Sequence, residues 1–298
     1  MSPAAGDRPA PPPAATVARI VDVALEEDLA AAGDLTTDAA VPATLTAIGA
    51  IVARDAGTIA GLDAALTVFQ RLTADVDADL AVDRHVADGD AVAGGTTLAT
   101  LRGPARAILT GERTCLNLLG HLSGIATATR EVVTAVTDLD VVVADTRKTT
   151  PGLRALEKYA VRCGGGRNHR FGLHDAVMLK DNHLVAAGSI TAAVAAVRAQ
   201  VGHTVSVTVE VDRLDQIPEA VEAGADVLLL DNLDPAALRE AVGMVAGRAL
   251  TEASGGITPA TARDIAMAGV DVLSLGWLTH SAPRLDVALD LHLEGAGA

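Results

Sequence analysis

The feature that most constrains this chain is a regular alternation of short apolar runs and amphipathic helical segments, which starts near residue 140. Strands and helices that alternate in this way predict parallel βαβ units. Helix starts support the pattern, because Thr150-Pro151, Asp234-Pro235 and Thr258-Pro259 each place a capping residue before a proline. The predicted strands are residues 141–144, 176–179, 205–209, 227–230, 249–251 and 270–275.

Each predicted strand is followed by polar residues. In a (β/α) barrel the carboxyl ends of the strands converge on one rim, so these groups are expected to form one site. Asp231 could instead only cap its loop with Asn232, whereas Glu210 ends a run of valines where an unpaired carboxylate would be costly. In chain order the polar groups are Asp145 with Arg147 and Lys148, Lys180, Glu210, Asp231, Glu252 with Ser254-Gly255-Gly256, and Ser274-Leu275-Gly276.

The Ser254-Gly255-Gly256 turn precedes the helix that Thr258-Pro259 is predicted to begin. Backbone N–H groups in such a turn, together with the helix dipole, can bind an anion. A Gly-Gly turn is common, but this one is expected on the same rim as Lys148 and Lys180. The turn is therefore a candidate phosphate site.

Charge is distributed unevenly along the chain. All three lysines, Lys148, Lys158 and Lys180, lie within 33 residues, and residues 145–183 carry eight Lys/Arg against four Asp/Glu, although the whole chain has a net charge of -15. The pattern predicts a cationic pocket for a small anion, because the acidic remainder would repel nucleic acid. A solvated basic helix face is the alternative, and His169, His174 and His183 within the stretch count against it.

Other features limit the location and the partners. Cys115 and Cys163 provide neither a disulfide framework nor zinc-ligand spacing, which favours a reducing cytoplasm. No apolar run approaches the roughly 18 residues of a membrane span, so no membrane partner is expected. Residues 1–15 are rich in Pro and Ala and are predicted to be a disordered tail.

The cationic stretch contains three motifs, DTRKTTPG at 145–152, GGGRNHRFGL at 164–173 and KDNH at 180–183. These motifs resemble those of the quinolinate phosphoribosyltransferase family, also called nicotinate-nucleotide pyrophosphorylase (carboxylating). Further motifs extend the resemblance to nearly all of the chain beyond the first 15 residues. These are EEDL at 26–29, GDLTT at 33–37, ER at 112–113, SGIAT at 123–127, EVD at 210–212, LDN at 230–232 and EASGGI at 252–257.

The resemblance implies a fold and a reaction. The fold would be an α/β sandwich over residues 16–115, with residues 282–298 packing back on it, joined to an incomplete α/β barrel over residues 116–281. The reaction would convert quinolinate and phosphoribosyl pyrophosphate to nicotinate mononucleotide, pyrophosphate and carbon dioxide, in the de novo synthesis of NAD. The enzyme would be a homodimer in which each active site borrows a group from the partner subunit.

The resemblance also implies roles for individual residues. Arginine forks suit the two carboxylates of quinolinate, lysines suit phosphate oxygens, and carboxylates suit a positively charged transition state or Mg²⁺. Catalysis is assigned to Lys148, Glu210 and Asp231, with Mg²⁺ at Glu210 and Asp231; substrate binding to Arg113 of the partner subunit, Thr146, Arg147, His169, Arg170 and Lys180; and phosphate binding to Ser254, Gly255, Gly256, Ser274 and Gly276.

Three alternatives remain open from the sequence. A Schiff-base aldolase could use Lys180 as its nucleophile, although aldol chemistry would not explain the arginines. A nicotinate phosphoribosyltransferase would share the fold and the phosphoribosyl donor but would take a monocarboxylate. An anion-binding regulatory barrel would bind a ligand without turnover and would not require carboxylates opposite the phosphate site.

Overall fold

The computed structural model describes residues 8–74 and 79–293. Residues 1–7 of the predicted tail (residues 1–15) lie outside this range. Residues 294–298 of the segment predicted to pack back on the sandwich (residues 282–298) also lie outside it. Arg8 donates hydrogen bonds to the Asp88 carbonyl (2.9 Å) and the Asp90 carboxylate (2.8 Å).

The chain divides into two compact units: an N-terminal unit of Met1–Ala128, Thr150–Gly165 and Ser281–Ala298, and a barrel unit of Thr129–Thr149 and Gly166–His280.

The N-terminal unit combines helices with an antiparallel sheet. Its strands are β1 (Thr46–Ala53), β2 (Gly57–Thr58), β3 (Ala81–Arg84), β4 (Ala91–Val92), β5 (Thr97–Pro104) and β12 (Val287–Leu293). Its helices are α1 (Ala14–Leu29), α2 (Leu35–Ala40), α3 (Leu62–Thr73), α5 (Arg154–Cys163) and the first part of α4 (Ala105–Ala135).

The larger sheet has the order β12-β1-β5-β3, while β2 pairs with β4. From Thr46 to Ile51 of β1, alternate residues are buried, as a sheet with one face on a core requires, and burial is continuous over residues 51–53. Phe69 of α3 and Ile108 of α4 are fully buried in the same core. Burial of one such large apolar side chain stabilises the fold by about 1.5–3 kcal/mol.

Helix α5 belongs to a second core cluster of the N-terminal unit, in which Leu156 and Tyr159 pack with Leu122 and Ile125. The prediction that this helix begins at Thr150-Pro151 is wrong, because α5 begins at Arg154. Gly152 has a φ of +85°, a left-handed conformation that cannot continue into a right-handed helix. The two prolines predicted to begin helices at Asp234-Pro235 and Thr258-Pro259 do so.

The barrel unit contains a six-stranded parallel sheet with the order β6-β11-β10-β9-β8-β7. This is the strand order of a closed barrel except that β6 and β7, the two edge strands, do not pair with each other. The order confirms the predicted open α/β barrel. The strands are β6 (Val142–Ala144), β7 (Val177–Leu179), β8 (Val207–Val211), β9 (Val227–Asp231), β10 (Leu250–Ser254) and β11 (Val272–Ser274). The helices are α6 (Asp181–Ala187), α7 (Ile190–Arg198), α8 (Ile217–Glu222), α9 (Pro235–Val245), α10 (Pro259–Ala266) and α11 (Trp277–His280), with a 3₁₀ turn at Leu214–Gln216.

Strand register determines which side chains share the inner face of this sheet. Glu210 is aligned with Leu229, and Leu229 with Glu252. One layer further toward the carboxyl ends, Ser254 is aligned with Asp231 and with Ser274. Because successive side chains of a strand alternate between faces, these two rows point to the same side.

In the described ranges, none of the helices combines the length and the apolar character needed to cross a membrane.

Candidate functional site

A pocket of about 550 Å³ lies at the carboxyl ends of the strands of the barrel unit. All but two of the predicted site residues line it. They are Thr146, Arg147, Lys148, His169, Arg170, Lys180, Glu210, Asp231, Ser254, Gly255, Gly256 and Ser274.

Cationic side chains form one part of the wall. Arg147 and Lys148 follow β6, and Arg170 lies in the loop before β7 and donates to the Ala176 carbonyl (3.0 Å). Burial lowers the pKa of Arg170, and the nearby charge of Arg147 lowers it further. Like charges held together in a partly buried pocket favour an anionic ligand that neutralises them.

Carboxylates form another part of the wall, where the inner-face rows place Glu210 and Asp231. The Lys180 ammonium contacts Glu210 Oε2 at 2.5 Å, and Asn232 Nδ2 donates to Asp231 Oδ2 at 2.7 Å. Among the described residues, no donor contacts the second oxygen of either carboxylate. Each carboxylate therefore keeps one oxygen available to a ligand.

The loop that carries Lys148 is held by its own hydrogen bonds. Thr146 Oγ1 accepts from the Lys148 N–H (3.0 Å), and the Lys148 carbonyl accepts from Thr279 Oγ1 (2.8 Å). A Cβ at Gly276 would lie 2.8 Å from Lys148 Cδ, so the glycine leaves space for the lysine stem. Gly276 itself lines an adjoining depression together with Lys148 and the glycine turn.

The Ser254-Gly255-Gly256 turn has the conformation expected of an anion-binding nest. Gly255 and Gly256 have φ values of +94° and +61°, and α10 begins shortly afterwards. The Trp277 indole N–H donates to the carbonyl of Ile257 (2.7 Å), which anchors the end of the turn. A Cβ at Gly255 would lie 2.1 Å from Asn232 Oδ1, so any larger residue there must displace the Asn232 side chain.

His169 lies between two partners on the pocket wall. Its Nε2 is 3.2 Å from Glu252 Oε2, and its Nδ1 accepts from the Arg170 backbone N–H at 2.7 Å. Glu252 Oε1 and Arg147 Nε are buried without a hydrogen-bond partner among the described residues. Unpaired buried polar atoms cost about 1–3 kcal/mol each, which makes a ligand that bonds to them favourable.

The structure places Arg113 elsewhere. It lies on α4 in the N-terminal unit and lines a separate depression of about 250 Å³, together with Asp28, His121 and Arg284. Its proposed role in the active site of a second subunit stays a prediction.

Four pocket residues had no predicted role: Met178, Leu229, Asn232 and Glu252. Of these, Glu252 was expected on the rim. Glu252 was expected to follow its strand, but β10 extends to Ser254. Polar residues on the inner face of a strand break the apolar pattern by which strands are recognised, so β10 was predicted too short. The period of two through Glu252 and Ser254 was the signal that could have placed both side chains on the inner face of a longer β10.

The donor set can be tested against Mg²⁺. No group of three or more metal-ligating side chains occurs in the described parts of the chain. Mg²⁺ commonly binds proteins through one or two carboxylates and takes its other ligands from substrate phosphates and water. The available oxygens of Glu210 and Asp231 fit that mode of binding.

Comparisons with known proteins match the chain over both units. The model of the quinolinate phosphoribosyl transferase N-terminal domain matches residues 34–123, and that of the C-terminal domain matches residues 125–290. The probable nicotinate-nucleotide pyrophosphorylase (carboxylating) of Bacillus subtilis (strain 168) is 47% identical over 243 residues, 82% of this chain and 83% of the relative. The Mycobacterium leprae (strain TN) nicotinate-nucleotide pyrophosphorylase (carboxylating) is 45% identical over 271 residues, 90% of this chain and 94% of the relative.

A solved structure is similar over the same range. The crystal structure of NadC from Streptococcus pyogenes superposes with a TM-score of 0.90 at 39% identity and covers 96% of this chain and 99% of that chain. The similarity therefore includes the segments that form the pocket.

Proposed function

Because the chain belongs to the quinolinate phosphoribosyl transferase family, we propose that it transfers a phosphoribosyl group from phosphoribosyl pyrophosphate to quinolinate with loss of carbon dioxide. The observation that carries the proposal is the pocket at the strand ends, where a cationic wall, two carboxylates and a glycine nest meet. These groups match a dicarboxylate, a developing positive charge and a phosphate, respectively.

Quinolinate binds to the arginines. A guanidinium presents parallel N–H donors that pair with a carboxylate in fork geometry. Arg147 and Arg170 supply such donors from within the chain. Arg113 of a second copy of the chain completes the site in a homodimer, since Arg113 does not line the pocket of the barrel unit in its own chain.

The phosphoribosyl donor binds beside the glycine nest. Backbone N–H groups at Ser254-Gly255-Gly256 and the start of α10 hold the 5′-phosphate with Ser274. Lys148 and Lys180 contact phosphate and pyrophosphate oxygens as compact charges. Glu210 and Asp231 would hold Mg²⁺, which would supply positive charge opposite the pyrophosphate leaving group.

The reaction proceeds by attack of the pyridine nitrogen on the anomeric carbon as the bond to pyrophosphate breaks. Positive charge develops on the ribose ring, and the carboxylates of Glu210 and Asp231 stabilise it. When carbon dioxide departs, the electron pair of the broken bond stays on C2 as a carbanion, which the adjacent quaternised nitrogen stabilises, and a proton taken up at C2 completes nicotinate mononucleotide. The protein contributes mainly preorganised electrostatics.

The geometry disfavours the aldolase alternative. Lys180 is paired with Glu210, whereas a Schiff-base lysine needs an apolar pocket or a neighbouring cation to act as a nucleophile. A monocarboxylate such as nicotinate would leave part of the arginine set unpaired, which is costly in a partly buried site.

We place the enzyme in the cytoplasm, which its two buried thiols favour.

The test is a coupled measurement of carbon dioxide release and nicotinate mononucleotide formation from quinolinate, phosphoribosyl pyrophosphate and Mg²⁺. We expect equal amounts of both products and neither without the phosphoribosyl donor. Nucleotide formation from nicotinate at a comparable kcat/KM would show that the function is the monocarboxylate transfer instead.

A further inference from the structure

Glu252 is a buried carboxylate on the pocket wall that has no part in the mechanism above. It lies within β10 and is 3% exposed. An ionised carboxylate in such a place is costly unless hydrogen bonds compensate for the lost hydration. The one such bond to Glu252 in the described structure comes from His169.

The contacts of His169 determine where its ring proton lies. A nitrogen that accepts a hydrogen bond carries no proton, and Nδ1 accepts from the Arg170 backbone N–H. The proton is therefore on Nε2, which points at Glu252 Oε2. Glu252 and the Arg170 N–H together fix both the tautomer and the plane of the ring.

The segment of residues 168–170 is also held by a second set of hydrogen bonds. Asp145, which is fully buried, accepts from Asn168 Nδ2 (2.6 Å) and from the His169 backbone N–H (2.8 Å). The guanidinium of Arg170 is bonded to the Ala176 carbonyl. Arg170 is thus restrained both at its backbone N–H and at its guanidinium, and the first restraint depends on the ring of His169.

The geometry points to Glu252 as a positioning residue: acting through the ring of His169, it fixes the backbone of Arg170 and so presents the Arg170 guanidinium to a substrate carboxylate. This inference rests on the proposed function for the identity of the substrate. The sequence places Glu252 on the rim beside the glycine turn, and the resemblance to the family implies no role for it.

Two variants and a control test the inference. Glu252→Ala removes the acceptor and should raise the KM for quinolinate by about 10-fold, the factor that corresponds to loss of one charge-assisted hydrogen bond. The KM for phosphoribosyl pyrophosphate and kcat should change less. Glu252→Gln keeps an acceptor oxygen and should restore the quinolinate KM to within about 3-fold of wild type.

Thr251→Val is the matched control, because Thr251 is the neighbouring buried residue of β10 and bonds to Asp271, away from the pocket. It should alter thermal stability without a selective effect on quinolinate. Equal changes in both KM values for Glu252→Ala, as general loosening of β10 would produce, would overturn the positioning role.

A spectroscopic measurement on the ligand-free enzyme does not depend on the reaction. Imidazole ¹⁵N spectra, with His169 assigned by its absence in His169→Gln, should show a single Nε2–H tautomer in the wild type and in Glu252→Gln, and a mixture in Glu252→Ala. An Nδ1–H tautomer in the wild type would refute the inference even if Glu252→Ala did not fold. Failure of the wild type to use quinolinate, with the Nε2–H tautomer present, would instead refute the proposed function.

Discussion

Substitution of Gly255 by alanine tests the link between the glycine nest and the carboxylate Asp231. Gly255 has a φ of +94°, and a Cβ there would lie 2.1 Å from Asn232 Oδ1 and 3.1 Å from the Asn232 backbone nitrogen. The backbone nitrogen of Asn232 is itself fixed by a bond to the Ser254 carbonyl. The side chain of Asn232 must therefore move.

The size of the effect follows from two costs. An L-residue in the left-handed region costs roughly 1–2 kcal/mol, which lowers stability. Displacement of Asn232 also breaks its 2.7 Å bond to Asp231, and a hydrogen bond to a charged group contributes about 1.5–3 kcal/mol. If that bond orients Asp231 in the transition state, its loss lowers kcat by about 10- to 100-fold.

Gly224→Ala is the control. Gly224 also has a positive φ, +83°, but a Cβ there would meet no atom within 4 Å, and the residue precedes β9, at the opposite end of that strand from Asp231. Thermal unfolding should register the backbone strain in both variants, whereas steady-state kinetics with both substrates should detect a loss only in Gly255→Ala. A kcat for Gly255→Ala within about 2-fold of that for Gly224→Ala would refute the reasoning.

Four other outcomes are expected. The kcat/KM for quinolinate should exceed that for nicotinate by about 10⁴, because nicotinate has a single carboxylate and leaves part of a site for two carboxylates unpaired. The measurement is competition between the two acids. Glu210→Gln should lower kcat by about 10² with little change in either KM; a normal kcat with weaker binding would assign Glu210 to ground-state binding. Mixing inactive Arg113→Ala and Lys148→Ala subunits should restore about half of the wild-type activity per mixed dimer, since one of its two sites is intact, and no recovery after proven subunit exchange would exclude a shared site. Burial raises the pKa of Cys163 to about 12 and that of Cys115 even further, so neither thiol should react with a colorimetric thiol reagent at about pH 8 until the protein is unfolded.

The arrangement of the barrel unit could be predicted because its strands are short, apolar and separated by helices, of which α9 and α10 begin with proline. The six predicted runs overlap the six strands of the sheet. The order in which the strands pair was not available from periodicity, since the opening between β6 and β7 depends on contacts between distant segments. The start of α5 was missed because Gly152, one residue after the proline, adopts a conformation that its neighbours in sequence do not determine.

The candidate site was predictable where a polar residue ends or directly follows an apolar run of the sequence. Lys180, Glu210 and Asp231 were identified as polar ends of apolar runs, and the structure places all three on one pocket. Glu252 was placed on the rim by the same reasoning, but no role followed for it from the sequence. Its partner His169 is 83 residues away in sequence, so only the folded chain reveals the pair.

The pairing of β1 with β12 has a consequence for synthesis of the chain. Ala47 of β1 is aligned with Leu293 of β12, so the two strands are made at opposite ends of translation. At roughly 5–20 residues per second, a nascent chain waits about 12–50 s between the two strands. During that time β1, whose sequence TAIGAIVA is largely apolar, has an unpaired edge on which other chains could add. Chaperone binding to ribosome-bound chains that end before Val287 should therefore concentrate on β1.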